Sequence, residues 1–236
     1  LEFDAENKTV CVQPGVVLEQ LNKFLKPHGL FFPVDVSTAN RATLGGMAGN
    51  NSCGSRSIRY GNMVHNVRAI DALLADGSEA QFNAVPFQQL NGQSPTYTNL
   101  VSKMRELGAR EAAEIDKSFP KLLRRVGGYN IDELTKATPN MSHLLVGSEG
   151  TLAFFQRIHL NLQPLPPNKV LGVCHFPSFY EAMDSTQHIV KLNPSAVELV
   201  DRTMIDLARD IPLFAATVDR FVEGEPQALL LVEFAG

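Results

Sequence analysis

"ATLGGMAGNNSCGSRSIRYG", residues 42–61, holds five glycines, two adjacent asparagines and two arginines, with no apolar run long enough to bury. Two readings are open on composition. Glycine and asparagine serve wherever the backbone needs positive φ, so the stretch reads as a turn-rich connection. The same residues also let a ligand approach the backbone closely. Gly45, Gly46 and Gly49 would then open a short helix whose free N–H groups face an anion. The spacing is G-G-x-x-G, which lacks the alternate glycine of the dinucleotide fingerprint, and no G-x-x-x-x-G-K-[ST] loop occurs in the chain.

Upstream, "LEF" and "TVCVQ" flank "DAENK" as a hairpin whose first strand is already under way at Leu1, so further sequence is expected before it. Val17, Leu18, Leu21, Phe24 and Leu25 repeat at helical spacing after Pro14 and Gly15, and Gly29 supplies a stop. Downstream, "VRAIDALLADGSEAQF" gives a strand, an Asp76-Gly77 turn and a return strand, so the sheet is at least partly antiparallel. Leu100, Val101, Met104, Leu107 and Ile115 mark a surface helix over 98–118, weakened by Gly108. In "HLLVGSEGTLAFFQRIHLNL" a second glycine loop, 147–150, lies between an apolar strand and one alternating through Ile158, Leu160 and Leu162.

Three prolines in "QPLPPN", residues 163–168, place a domain boundary there, with a first domain at 1–165 and a second at 166–236. The second reads strand, helix, strand, helix, strand: "KVLGVCHF", a helix headed by the capping-box spacing of Ser178 and Glu181, "SAVELV", a further helix and "QALLLVEF". That order matches a split βαβ unit one helix and one strand short of completion.

The bulk properties narrow the partners. With 236 residues, 44% hydrophobic and 19% charged, the chain can bury a sizeable core. A net charge of −4 gives no basic field for nucleic acid or an anionic membrane. No apolar run approaches the roughly 20 residues of a membrane helix, and a soluble, reducing compartment is expected. Cys11, Cys53 and Cys174 are too far apart in sequence for a zinc motif, and His143, His159, His175 and His188 show no metal spacing, so no metal site is expected. No G-x-S-x-G elbow supports a hydrolase.

"VQPG" before a helix, then "GLFFPVDVSTANRATLGGMAGNNSCGSRSIRYG", "LLADG", "GYNIDEL" and "LLVGSEGTLAFF", in this order and spacing, resemble the FAD-linked oxidase family of vanillyl-alcohol-oxidase type. Within it they are most similar to the D-2-hydroxy acid dehydrogenases acting on D-lactate, glycolate or D-2-hydroxyglutarate. The resemblance implies an α+β fold: part of an FAD-binding domain of the PCMH type over 1–165, then the first part of a ferredoxin-like substrate cap. It implies FAD as cofactor, with Thr43, Gly45, Gly46, Gly49, Asn50, Ser52 and Gly54 along the pyrophosphate and ribityl chain and Glu149, Gly150 and Thr151 along the nucleotide. Tyr129 and Asn130 would fall near the flavin side.

The implied function is oxidation of a D-2-hydroxy acid to the 2-oxo acid by hydride transfer to flavin, with electrons passed to a carrier that no residue identifies. The enzyme would be cytoplasmic or peripheral to the membrane. A non-catalytic nucleotide-binding or structural piece stays open, as does a same-fold flavin reductase of the cell-wall precursor type. The family's other phosphate loop and its cap histidines are expected outside residues 1–236, so no catalytic residue is assigned and the piece alone is expected to be inactive and to lose its flavin. Arg56 and Arg59 are second-rank phosphate contacts or a solvated pair, His65 reads as structural, and Cys53 as a small packed side chain rather than a flavin tether.

Overall fold

The computed structural model describes residues 1–84, 94–122 and 124–236. By its internal contacts the chain forms two units, Leu1–Gly54 with Tyr60–Leu165, and Pro166–Gly236 with Ser55–Arg59. Among the described residues no helix is long and apolar enough to cross a membrane.

The first unit opens with the expected hairpin, β1 (Glu2–Asp4) and β2 (Thr9–Val12), followed by α1 (Leu18–Leu25), which buries Leu18, Leu21 and Leu25 on one stripe. A two-residue strand β3 (Leu30–Phe31) leads to α2 (Leu44–Asn50), formed by the first glycine segment. After the single turn α3 (Ser57–Tyr60), of which all but Tyr60 belongs to the second unit, the single turn α4 (Met63–Asn66) precedes the Asp-Gly hairpin of β4 (Val67–Leu73) and β5 (Glu79–Asn83). The long helix α5 (Pro95–Ser118) starts earlier than its apolar stripe predicts, because the Ser94 hydroxyl accepts the Tyr97 N–H and Pro95 occupies the first turn. The segment "HLLV", expected as a strand, is instead the helical turn α6 (Ser142–Leu145). Strand β6 (Phe154–Asn161) and β7 (Gln163–Pro164), which pairs with β3, complete the unit.

All pairings are antiparallel and the large sheet runs β1-β2-β6-β4-β5. Alternation sends Val10, Val12, Ile70, Ala72, Phe82, Ile158 and Leu160 into one core with α1, α2 and α5. Gly108 of α5 is buried because a Cβ there would lie 2.6 Å from Leu134 Cβ and 2.8 Å from its carbonyl oxygen. The glycine read as a weak point is thus a close-packing position.

In the second unit β8 (Lys169–Phe176), α7 (Phe179–Ile189), β9 (Ala196–Asp201), α8 (Arg202–Asp210), α9 (Pro212–Val218) and β10 (Ala228–Ala235) build a sheet of order β8-β10-β9. Ser178 caps α7 and Asp201 caps α8 through the N–H groups of Glu181 and Met204. Because alternate residues of β10 face opposite ways, Ala228, Leu230 and Val232 bury against α7, while Leu229 buries against Ile205 and Val218 of α8 and α9. Helices therefore cover both faces of this sheet.

Glu133, buried in the turn after α5, accepts from His143 Nδ1 at 3.0 Å, the Asn140 N–H at 2.9 Å and Lys136 Nζ at 2.6 Å. Burial alone would raise its carboxyl, but these bonds outweigh it and bring it down from 4.5 to about 2. A folded value below the unfolded one stabilises the protein above pH 4.5, and that stabilisation is lost as the pH falls toward about 2. Glu133→Gln should therefore lower stability at neutral pH by a few kcal/mol, a difference from the parent that urea titrations should find shrinking between these two pH values. Gly108→Ala should cost about 1–3 kcal/mol in the same titrations, since the helix cannot move off Leu134 without opening the core.

Candidate cofactor cleft

Helix α2 begins where Thr43, in extended conformation, turns its hydroxyl to the Gly46 N–H at 3.3 Å. The other donors of the first turn are also taken. Leu44 donates to the Val16 carbonyl and Gly45 to the Pro14 carbonyl, both at 2.8 Å, and Met47 to the Thr43 carbonyl at 2.9 Å. The expectation of free N–H groups facing an anion is thereby corrected: the turn at Pro14 consumes them. Gly45 is small for the same reason, since a Cβ would stand 2.5 Å from Pro14 Cβ. A Cβ on Gly54 would fall 1.5 Å from the Asp35 carbonyl oxygen, so close chain crossing requires that glycine too.

The other end of α2 meets the second glycine loop. Asn51 ends the helix in the left-handed region at φ 51°. The Gly147 N–H donates to the Ala48 carbonyl and the Glu149 N–H to the Gly49 carbonyl, both at 2.9 Å. Both carbonyls belong to the last turn, where an α-helix runs out of regular partners; that of Ala48 also accepts the Asn51 N–H at 3.2 Å. To bring the donors round, Gly147, Glu149 and Gly150 take φ of 82°, 51° and 73°. Only Gly147 is also crowded, with a Cβ position 3.3 Å from Asn51 Cβ and 3.4 Å from the Gly128 carbonyl oxygen.

Between the end of α2, this loop and residues 126–129 lies a cleft of about 700 Å³. Ser37, Thr38, Asn50, Ser52, Cys53, Tyr129, Ser148, Glu149 and Thr151 line it, and among the described lining residues there is no lysine or arginine. Asn50 Nδ2 donates to Glu149 Oε1 at 3.1 Å, and Ser52 Oγ donates to Asn50 Oδ1 at 3.3 Å. Thr151 Oγ1 donates to the Ser148 carbonyl at 2.6 Å, which leaves it as acceptor for the Tyr129 hydroxyl at 2.8 Å. A second cleft of about 450 Å³ shares Thr151 and is mainly apolar, with Pro14, Leu73, Leu74, Leu152 and Phe155 beside Gly45, Gly49 and Gly150.

The residues expected at a cofactor thus separate. Asn50, Ser52, Glu149 and Thr151 line the polar cleft, Gly45, Gly49, Gly150 and Thr151 the apolar one, and Thr43, Gly46 and Gly54 line neither. Gly127 and Gly128, in the polar lining, were not singled out in the sequence. The "GG" before Tyr129 was the available signal. No atom lies within 4 Å of where a Cβ on Gly127, Gly128 or Gly150 would be.

This set fits FAD in kind. Hydroxyls and amides suit a ribityl chain, and the apolar cleft suits a planar ring. A diphosphate, which finds no cationic side chain among the described lining residues, would rely on backbone N–H groups at the uncrowded glycines.

Other expected groups are structural. Asn130 is buried and donates from Nδ2 to the Val146 carbonyl at 2.8 Å and the His143 carbonyl at 3.1 Å. Arg56, partly exposed, pairs within the second unit in bidentate fashion with Glu233 at 2.8 and 2.9 Å. Arg59 donates there to Ser195 Oγ and the Ala235 carbonyl. His65 Nδ1 accepts the Asn62 N–H at 2.9 Å and so caps α4; burial lowers its imidazole pKa.

An antiparallel sheet carries two glycine loops around a cleft without a cationic side chain among its described lining residues, and a second α+β unit follows, a build suited to holding a dinucleotide. Residues 1–83 match the family of FAD binding domains and residues 165–236 the C-terminal domain of FAD linked oxidases. The chain thus carries an FAD binding domain match and a match to the C-terminal domain of FAD linked oxidases. Over all of its length it is 35% identical to a D-2-hydroxyglutarate dehydrogenase of Haemophilus influenzae and 32% identical to one of Escherichia coli, and it spans 24% of each. It is 28% identical to a D-lactate dehydrogenase of Archaeoglobus fulgidus over 99% of this chain and 41% of that protein. A solved alkyldihydroxyacetonephosphate synthase superposes on the whole chain, covering 36% of that structure, with a TM-score of 0.67 at 19% identity, a likeness of fold alone.

Gly147→Ala should destabilise the first unit by about 1–2 kcal/mol, because alanine meets both a left-handed backbone and the Asn51 side chain. Gly150→Asn, left-handed but uncrowded, should leave the melting temperature within about a degree of the parent. Thermal unfolding of the two variants side by side checks the contrast.

Proposed function

We propose that this chain is part of an FAD-dependent oxidoreductase that oxidises a D-2-hydroxy acid to the 2-oxo acid, with residues 1–165 as FAD-binding domain and 166–236 as the start of the substrate cap. The observation that carries this reading is the identity to D-2-hydroxyglutarate dehydrogenases along the entire chain. The D-lactate dehydrogenases among the relatives support the wider substrate class. The enzyme would work in the cytoplasm or at a membrane surface and hand its electrons to a separate carrier.

FAD supplies the redox chemistry by accepting a hydride from the carbon that bears the hydroxyl. The chain's own residues bind and orient. Asn50, Ser52 and Thr151 offer hydroxyl and amide groups to the cofactor's polar chain, and Glu149 is oriented toward the same cleft by Asn50. Gly49 and Gly150 offer close backbone approach. Thr43, Gly45, Gly46 and Gly54 serve the cofactor through the shape of α2 and its entry turn. Tyr129 and Thr151, joined by their hydroxyls, span the cleft and limit water access.

The test is an assay of the protein carrying this chain with an artificial electron acceptor and paired D and L forms of 2-hydroxyglutarate and lactate. Turnover of a D acid should exceed that of its enantiomer by at least about 100-fold, since a fixed carboxylate presents one face of the α-carbon to the flavin. Equal rates for both enantiomers, or activity confined to phenolic alcohols, would overturn the substrate assignment.

A further inference from the structure

Residues 126–129 form one wall of the polar cleft, yet they are exposed and packed by little. Val126 and Tyr129 are 41% and 46% exposed, and neither Gly127 nor Gly128 has a neighbour at its Cβ position. A loop so lightly packed loses its position unless its ends are fixed, because each freely moving residue gains conformational entropy. One end is fixed by Asn130, whose amide holds two carbonyls at the end of α6.

At the other end the Arg125 carbonyl receives two buried side-chain amides. Asn62 Nδ2 donates to it at 3.1 Å and Asn51 Nδ2 reaches it at 3.5 Å. Asn62 is 1% exposed and Asn51 fully buried. Asn51 also accepts the Val64 N–H at 3.0 Å, which ties the end of α2 to α4 and leaves Asn62 the better donor to Arg125. The Arg125 side chain is held separately, by Asp132 Oδ1 at 2.6 Å and by stacking over the Phe119 ring at 4.8 Å. Main chain and side chain of Arg125 are therefore anchored independently, and only the main-chain anchor governs the direction in which 126–129 leave.

We infer that Asn62, seconded by Asn51, is a positioning residue of the cofactor cleft: its amide clamps the Arg125 carbonyl and so sets the wall formed by 126–129, without itself touching a ligand. The inference rests on the reading of this cleft as the FAD site. Asn62 lies just past the glycine segment, at the head of α4, and lines neither cleft. Loss of the clamp leaves α2 and the 147–151 loop joined and loosens the opposite wall, which then keeps the Tyr129–Thr151 hydroxyl contact; Asn62→Asp retains the side-chain oxygen of the α4 capping box, and Asn62→Ala does not. The backbone of Gly127 and Gly128 then no longer converges with Asn50, Ser52 and Thr151 on one ligand.

The experiment uses Asn62→Ala, Asn62→Asp and Asn51→Asp in the flavoprotein that carries this chain. Two quantities are read: trypsin cleavage after Arg124 and Arg125 under native conditions, and the FAD dissociation constant of the apoprotein by flavin fluorescence. Asn62→Ala should raise cleavage at these two bonds and weaken FAD binding by about tenfold. Asn62→Asp, which sets a carboxylate oxygen against the carbonyl, should do more on both. Asn51→Asp, which keeps the acceptor for Val64, should raise cleavage less; because Asn51 itself lines the cleft, only its cleavage rate is read, and it tests the clamp where Asn62 variants do not fold. Cleavage unchanged in the folded variants, or cleavage raised with FAD affinity within twofold of the parent, overturns the inference. A parent that binds no FAD overturns the cofactor reading instead, and the cleavage rates then still decide whether Asn62 holds the wall.

Discussion

Two backbone hydrogen bonds, from the N–H groups of Gly147 and Glu149 to the carbonyls of Ala48 and Gly49, join segments about a hundred residues apart into one site. Each contributes a net of about 0.5–1.5 kcal/mol, and leaving the Gly49 carbonyl without its donor would cost about 1–3 kcal/mol, whereas that of Ala48 also holds the Asn51 N–H. The rest follows from meeting that demand. The loop must turn through three left-handed residues, Asn51 must end α2 in the same region, and the start of α2 must be held still by the turn at Pro14. What is left to face the clefts is the surplus polar surface after this internal satisfaction: side-chain hydroxyls and amides, and backbone at a few bare glycines.

The sheet was legible because its signals are local. Alternation marked β6, and the Asp-Gly turn set the β4–β5 hairpin, whose Ser78 N–H and hydroxyl both bond to Asp76. The strand expected at "HLLV" failed because three apolar residues in a row carry no period of their own. The helical form is imposed by Asn140, whose side-chain oxygen accepts from the Ser142 N–H and hydroxyl while its amide reaches the Arg68 carbonyl. Distance in sequence also hid the partners of Arg56 and Arg59, which lie 177, 136 and 176 residues away. The glycines of residues 42–61 were marked for close approach, and at Gly45 and Gly54 the close neighbour is Pro14 or Asp35 of the chain itself. A single sequence does not distinguish a glycine that admits a ligand from one that admits its own backbone.

The absence of a cation among the cleft's described lining residues has an electrostatic meaning. The cleft's one lining carboxylate, Glu149, is bonded by Asn50, and the lining shows no compensating cation among the described residues. With a chain net charge of −4, there is no long-range field to draw an anionic dinucleotide inward. Recognition here depends on contacts within hydrogen-bonding distance, which salt screens weakly. Geometry, and so the rigidity of the walls, carries a larger share of affinity than it would in a site built on lysines and arginines.

The strand order also bears on how the polypeptide assembles as it is made. In the first unit β2 and β4 do not touch each other; both pair with β6, which lies between them. In the second, β8 and β9 stay apart until β10 enters between them. Each sheet is thus closed by a strand synthesised after those it joins, and until then the earlier strands expose unpaired apolar edges on the ribosome-bound chain. Such late closure slows folding and prolongs the interval in which nascent strands can pair wrongly or be engaged by chaperones.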